Sequence, residues 1–256
     1  MKINESISIV TGGASGLGEA TTRHLVAGGG KVAIFDLNEE RGLALVKELG
    51  EENVCYVQTN VTDAEQVEKN VAAVVQRFGS INSLVNCAGI ATPGKVISQK
   101  GPMDLSRFEQ IIQVNLIGTF NVLRVTAHVM QQNPPNEEGE RGVIINTASV
   151  AAFEGQIGQA AYSASKAGVV GMTLPIAREF ARDGIRVMAI APGLVETPLF
   201  AGLPEDAKES LARTVPFPNR LGKPSEYAML VESILTNPLL NGEVIRLDGA
   251  IRMQPK

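Results

Sequence analysis

The sequence predicts an α/β fold: a parallel sheet covered by helices on both faces. Three observations carry that prediction. Short apolar runs alternate along the chain with longer amphipathic stretches. The runs are apolar throughout, as in Val143-Ile144-Ile145 and Val187-Met188-Ala189-Ile190, which suits strands buried on both faces. No linker, repeat or low-complexity tract divides the 256 residues, and 44% hydrophobic residues suffice for one sizeable core.

Taken in order, the strand candidates are 7–11, 31–35, 53–58, 83–87, 142–147, 185–190 and 243–247. Helical periodicity fills 16–28, 39–49, 64–78, 105–132, 160–183 and 224–236. Such alternation implies right-handed crossovers between parallel strands. A single domain over 1–256 is expected, with three aperiodic segments at 90–104, 134–141 and 192–222. The first and last of these follow strands, and in open α/β sheets the ligand crevice lies there. Segment 134–141 follows a helix and belongs at the opposite edge. Its charge run, Glu137, Glu138, Glu140 and Arg141, reads as a solvated loop.

Several function classes are disfavoured at once. A net charge of −4 without a basic stripe gives nucleic acid no footprint. No apolar run reaches the 18 or so residues of a membrane span, and the first strand begins almost at the N-terminus, so a soluble cytoplasmic protein is expected. Cys55 and Cys87 sit in apolar, strand-like runs and read as buried free thiols. His24 and His128 are the only histidines and lie far apart, so no metal site is expected.

The first chemical motif is the turn Thr11-Gly12-Gly13-Ala14-Ser15-Gly16-Leu17-Gly18, between a strand and a helix. Gly12 permits the tight turn, Gly16 lets backbone approach a pyrophosphate, and Gly18 lets helix and strand pack closely; free helical N–H groups attract the phosphates. The next strand ends in Asp36, 18 residues past Gly18, where the ribose hydroxyls of an adenosine need an acceptor. Its charge repels a 2′-phosphate, and positions 14, 15 and 37 hold no Arg or Lys to offset it. The cofactor expected is therefore NAD rather than NADP.

The second motif is Tyr162-Ser163-Ala164-Ser165-Lys166. Spacing i, i+4 puts phenol and ammonium on one helical face. A free phenol titrates near about 10, and a nearby cation is expected to lower that value toward the useful range. Tyr162 then gives a proton to a reduced carbonyl or takes one from an alcohol. Ser149, 13 residues before Tyr162 and just past a strand, is placed to hold the substrate oxygen. Asn115, inside the region 105–132, is expected to be buried, to bend the helix and to hold a water near Lys166. Each residue alone has a plainer reading: a surface pair, a turn cap, a local hydrogen bond. Their order beside a nucleotide turn favours the chemical one.

At these residues the chain resembles the short-chain dehydrogenase/reductase family. The matching motifs are Thr11-Gly12-x-x-x-Gly16-x-Gly18, Asn86-Cys87-Ala88-Gly89, Asn115, Ser149, Tyr162-x-x-x-Lys166 and Pro192-Gly193, spread over nearly the whole chain. Stretches 142–155, 191–194, 215–218 and 241–253 are similar to the family's type II 3-hydroxyacyl-CoA dehydrogenases, also called type ten 17β-hydroxysteroid dehydrogenases.

The resemblance implies a Rossmann-type, doubly wound, three-layer α/β/α fold with seven parallel strands in the order 3-2-1-4-5-6-7. It implies Tyr162 as acid/base, Ser149 as oxygen-positioning donor, Asn115 in a water relay, and Lys166 also on the nicotinamide ribose. The implied cofactor set is Gly12, Ser15, Gly16, Leu17, Gly18, Asp36, Asn60, Val61, Cys87, Ala88, Gly89, Tyr162, Lys166, Pro192, Gly193, Val195 and Thr197. A homotetramer is implied as well.

Two positions depart from the family pattern. Asn60 stands where the family usually has an Asp that meets the adenine amine, and its side-chain oxygen is expected to accept that bond less strongly. Cys87 replaces the second Asn of Asn-Asn-Ala-Gly and reads as a packing residue, with nothing cationic beside it in sequence.

Expected substrate contacts are Ser149, Tyr162, Gln159 and Leu199, within mostly apolar walls that include Ile90, Ala91, Pro93, Val96, Phe200, Leu203, Leu211, Val215 and Phe217. Such walls suit an acyl chain or steroid better than a sugar. The expected activity is oxidation of a secondary alcohol to a ketone with NAD, 3-hydroxyacyl-CoA to 3-oxoacyl-CoA. The alternatives are an NADPH-dependent 3-oxoacyl-carrier-protein reductase, which Asp36 opposes, and a non-catalytic NAD-binding sensor or scaffold, which has no need of the Ser149, Tyr162 and Lys166 set.

Overall fold

The computed structural model describes residues 1–198 and 205–255. Seven strands form one parallel sheet: β1 Ile7–Thr11, β2 Lys31–Asp36, β3 Val54–Gln58, β4 Ser83–Asn86, β5 Gly142–Thr147, β6 Ile185–Pro192 and β7 Val244–Leu247. Their spatial order is 3-2-1-4-5-6-7, the doubly wound arrangement that the resemblance implies.

Alternating side chains divide each strand between two core layers. Ile9, Phe35, Leu84, Ile144 and Val187 enter the layer under α3 Ala64–Phe78, α5 Thr119–Met130 and α6 Ala160–Phe180. Val10, Ile34, Val85, Ile145 and Met188 enter the layer under α1 Gly16–Ala27, α2 Glu39–Leu49 and α8 Pro224–Thr236. Helices cover both faces, so β5 and β6 are buried along their whole length.

Local signals set the helix starts. Asn38 and Asp63 cap α2 and α3 by accepting the N–H groups of Arg41 and Gln66. Pro224 occupies the first turn of α8, where a missing N–H costs nothing.

Four segments differ from the sequence expectation. The region 105–132 is not one regular helix: α4 Leu105–Ile112 passes through a π-helical stretch, Gln113–Gly118, into α5. The bend predicted at Asn115 takes this form, and π-turns favour functional sites. Within 192–222 lies a further helix, α7 Glu205–Ala212, and within 90–104 the residues Ile97–Ser98 and Gly101–Pro102 pair antiparallel. The charge run at 134–141 is only partly solvated. Glu140 is buried, and its carboxylate accepts from Arg186 Nε and lies 3.2 Å from the Met1 ammonium. Arg186 comes from β6, so no local pattern discloses this pair.

Candidate active site

A cleft of about 540 Å³ opens along the C-terminal edge of the sheet, at the ends of β1, β2, β4 and β5. The glycine turn forms its floor. Gly12 has φ +61°, and a Cβ there would lie 2.9 Å from Ala88 N. A Cβ on Gly18 would lie 2.1 Å from Gly12 O, so α1 meets the turn only without a side chain. Ser15 stands at the helix N-cap in extended conformation and makes no side-chain cap bond, so the first N–H groups of α1 have no side-chain partner from it. Thr11 joins β1 to the end of β4: its hydroxyl accepts from Ala88 N–H at 3.1 Å and donates to Asn86 Oδ1 at 3.4 Å.

Asp36 is held at the far end of this floor. Its Oδ2 accepts from Ala14 N–H and its Oδ1 from Asn38 N–H, both at 3.0 Å. Lone pairs remain for two vicinal hydroxyls. The turn, the open helix end and this carboxylate fit a dinucleotide. Gly12, Ser15, Gly16, Leu17, Gly18, Asp36, Asn60, Val61, Cys87, Ala88, Gly89, Tyr162, Lys166 and Thr197 all line the cleft.

Asn60 is disposed otherwise than the sequence suggests. Its side-chain oxygen already accepts from Thr62 N–H at 3.1 Å and Thr62 Oγ1 at 2.9 Å. The amide nitrogen is the group left for a base. Pro192, Gly193 and Val195 do not line the cleft. Gly193 N–H donates to Leu247 O at 2.9 Å, and Val195 borders a smaller cavity of about 120 Å³ under the 215–223 segment. Gln159 is also off the cleft wall, with its Oε1 accepting from Gln156 N–H at 3.0 Å. Leu199, Phe200 and Leu203 lie outside the described residues.

Tyr162 and Lys166 lie at the other end. Helix α6 carries Tyr162 and Lys166 side by side, with Lys166 Nζ 5.9 Å from the phenol ring centre. Lys166 is buried, and its ammonium donates to Thr147 O at 2.7 Å. Burial pulls its pKa down to about 8. Burial also pushes the Tyr162 phenol above its ordinary value, while a hydrogen bond from Ser149 opposes the rise. The direction is opposite to the sequence expectation of a phenol lowered by its lysine: burial dominates, and the lysine's own hydrogen bond goes to Thr147. Ser149 Oγ accepts from Ala151 N–H at 3.1 Å, which fixes the hydroxyl at the end of β5.

Asn115 is fully buried, and its side chain joins three elements. Its Oδ1 accepts from Ile90 N–H at 2.8 Å, and its Nδ2 donates to Ile90 O at 2.9 Å and to Ser165 Oγ at 3.0 Å. The π-stretch thereby pins the loop after β4 against α6. With both amide hydrogens committed to Ile90 and Ser165, the side chain holds the backbone of the loop after β4.

Thr147, Gln110, Val114 and Pro198 also line the cleft and escaped the sequence reading. Gln110 and Val114 lie on the stretch leading into Asn115, so its helical face was the available signal. Thr147 acts through its carbonyl, which no side-chain pattern marks. Cys87 lies near Thr147 Oγ1 and Tyr227 Oη, both at 3.7 Å, and burial raises its thiol. That suits a packing residue. Among the described residues, no group of three or more His, Cys, Asp or Glu is placed to hold a metal.

Comparison with known proteins agrees with this geometry. The model of the short chain dehydrogenase family matches residues 6–208. The 3-hydroxyacyl-CoA dehydrogenase type-2 of Homo sapiens is 56% identical over 251 residues, covering 97% of this chain and 96% of that protein. The protein of the same name from Drosophila melanogaster is 53% identical over 255 residues, covering 99% of this chain and 100% of its own. The crystal structure of 3-hydroxyacyl-CoA dehydrogenase type-2 from Mycobacterium avium superposes with a TM-score of 0.95 at 44% identity, covering 99% of this chain and 98% of that one. With the family's model matched over most of its length and relatives this similar end to end, the chain belongs to the short-chain dehydrogenase/reductase family.

Proposed function

We propose that this enzyme is an NAD-dependent 3-hydroxyacyl-CoA dehydrogenase, with Tyr162 as its acid/base. One observation carries the reading: a single cleft holds the Asp36 carboxylate at one end and Tyr162 with Lys166 at the other, with Ser149 hydrogen-bonded to Tyr162. The substrate class is taken from the names of the similar proteins and suits the apolar residues Ile90, Ala91 and Val114 on the cleft wall.

The nicotinamide supplies the hydride chemistry. This chain's residues supply orientation and the proton. In ketone reduction, the Tyr162 phenol gives its proton to the carbonyl oxygen while hydride reaches the carbonyl carbon, leaving an alcohol and a phenolate that solvent reprotonates. In alcohol oxidation the same oxygen takes the proton. Ser149 donates to the reacting oxygen, and Lys166 holds positive charge beside the phenolate as it forms. Asp36 accepts from the adenosine ribose and repels a 2′-phosphate, which disfavours the NADPH-dependent carrier-protein reductase. A sensor or scaffold has no use for the proton-handling set.

The same reading treats residues 1–256 as one domain, with substrate segments at 90–104 and 192–222, and the protein as a homotetramer. Exposed apolar side chains on α5, α6 and near β7, such as Phe120, Leu174 and Leu239, favour association. A cytoplasmic location agrees with two free cysteines.

Initial rates with NADH and NADPH against acetoacetyl-CoA test the proposal. NADH-dependent turnover is expected. Turnover with NADPH alone would remove the role given to Asp36 and move the enzyme to the biosynthetic reductases. NADH binding without turnover on acyl-CoA or steroid panels would leave a sensor.

A further inference from the structure

The chemistry above leaves the fully buried phenol of Tyr227 on α8 unused. Helix α8 covers the sheet face opposite α6, so the Tyr227 ring packs with Val85, Val143 and Ile145 in the other core layer. A buried phenol needs a partner for its hydroxyl. That partner is Thr147 Oγ1, at 2.7 Å. The single hydroxyl proton of Thr147 is directed to Asn86 O at 2.6 Å, so Tyr227 is the donor in the pair.

Thr147 is the residue that needs such a tie. The pairing of β4 with β5 ends at Asn86 and Asn146, so Thr147 runs one residue beyond it. On that side its hydroxyl adds a tie to β4, donating to Asn86 O. Its carbonyl receives the Lys166 ammonium at 2.7 Å. One residue is thus held through its hydroxyl from one layer and holds the lysine through its carbonyl in the other.

We propose that Tyr227 is a positioning residue: by donating to Thr147 it fixes the carbonyl that orients the Lys166 ammonium beside Tyr162. The inference rests on the roles proposed above for Tyr162 and Lys166. A buried ammonium depends on each acceptor it has, and a displaced carbonyl weakens that bond steeply. The titratable groups facing Lys166 are Tyr162 on its own helix and the Cys87 thiol at the end of β4. With the carbonyl displaced, the ammonium loses its proton at lower pH.

Tyr227→Phe keeps the ring and removes only the donor. Its kcat is expected to fall about tenfold, the scale of one lost hydrogen bond, with the ketone KM little changed. The basic limb of its pH profile is expected at lower pH than in the wild type. Thr147→Val should reproduce both effects, Thr147→Ser should restore them, and the Tyr227→Phe/Thr147→Val double variant should be no worse than the weaker single. Wild-type kcat with an unmoved pH limb in Tyr227→Phe overturns the proposal. So does a Thr147→Ser variant as impaired as Thr147→Val, or losses that multiply in the double variant. If Tyr227→Phe does not fold, the Thr147 pair decides alone. All rates are ratios to wild type on whichever ketone it reduces, so a wrong acyl-CoA assignment appears in the wild type. A wrong acid/base assignment appears in a parallel Tyr162→Phe control.

Discussion

The ammonium of Lys166 donates to the carbonyl of Thr147 at 2.7 Å, while the ring centre of Tyr162, four residues before it on the same helix, lies 5.9 Å away. The lysine is therefore anchored to a strand end beside its tyrosine.

Tyr162→Phe removes the hydroxyl proposed to carry the proton and leaves the aromatic ring in place. Turnover should fall by about 10²- to 10⁴-fold, the usual contribution of a positioned acid/base. NADH binding, followed by fluorescence titration, should survive. A variant with near-wild-type kcat would exclude Tyr162 as the acid/base.

The pH dependence follows from two opposite displacements. Burial lowers Lys166 to about 8 and raises Tyr162, so below pH 8 the free enzyme carries a charged lysine and a protonated phenol. That is the state for ketone reduction. The kcat/KM for NADH should be flat below about pH 8 and fall above it as the lysine neutralises. Alcohol oxidation needs the phenolate and should gain rate as pH rises from neutrality. A reduction limb near pH 6, or none up to pH 10, would contradict this assignment.

Asp36 tests cofactor choice. Asp36→Ala removes the acceptor at the ribose end and frees Ala14 N–H from its 3.0 Å bond. The KM for NADH should rise about 10- to 100-fold, the scale of a charge-assisted hydrogen bond, and NADPH should gain relative to NADH. An unchanged ratio of the two kcat/KM values would show that discrimination resides elsewhere.

Glu140 gives a prediction about stability alone. It is buried with Arg186 and the Met1 ammonium at the edge of the sheet away from the cleft. Glu140→Ala leaves Arg186 buried without its carboxylate. Three carbonyls, of Ile234, Leu235 and Leu240, still accept from the guanidinium. The cost should therefore lie near the low end for a broken buried pair, about 3 kcal/mol. At about 2–4 °C per kcal/mol in a protein this large, Tm should drop by about 6–12 °C. The kcat at 20 °C should not change. A drop under 2 °C would mean that the pair contributes little.

The sequence alone determined the alternation of strands and helices, the glycine turn, the acidic residue after β2 and the Tyr162–Lys166 pair. These are local properties: periodicity of 2 or 3.6 residues, a turn that tolerates only glycine, and an i, i+4 spacing. The tertiary structure decided the rest, because each remaining feature joins residues remote in sequence. Glu140 reads as solvated until β6 brings Arg186 against it. Asn115 reads as a helix bend until Ile90 and Ser165 arrive to take its amide. Helix α7 and the α4–α5 break fall where short or mixed patterns give no clear period. The Tyr162 phenol rises rather than falls because burial, a sum over the whole surroundings, outweighs the Ser149 hydrogen bond.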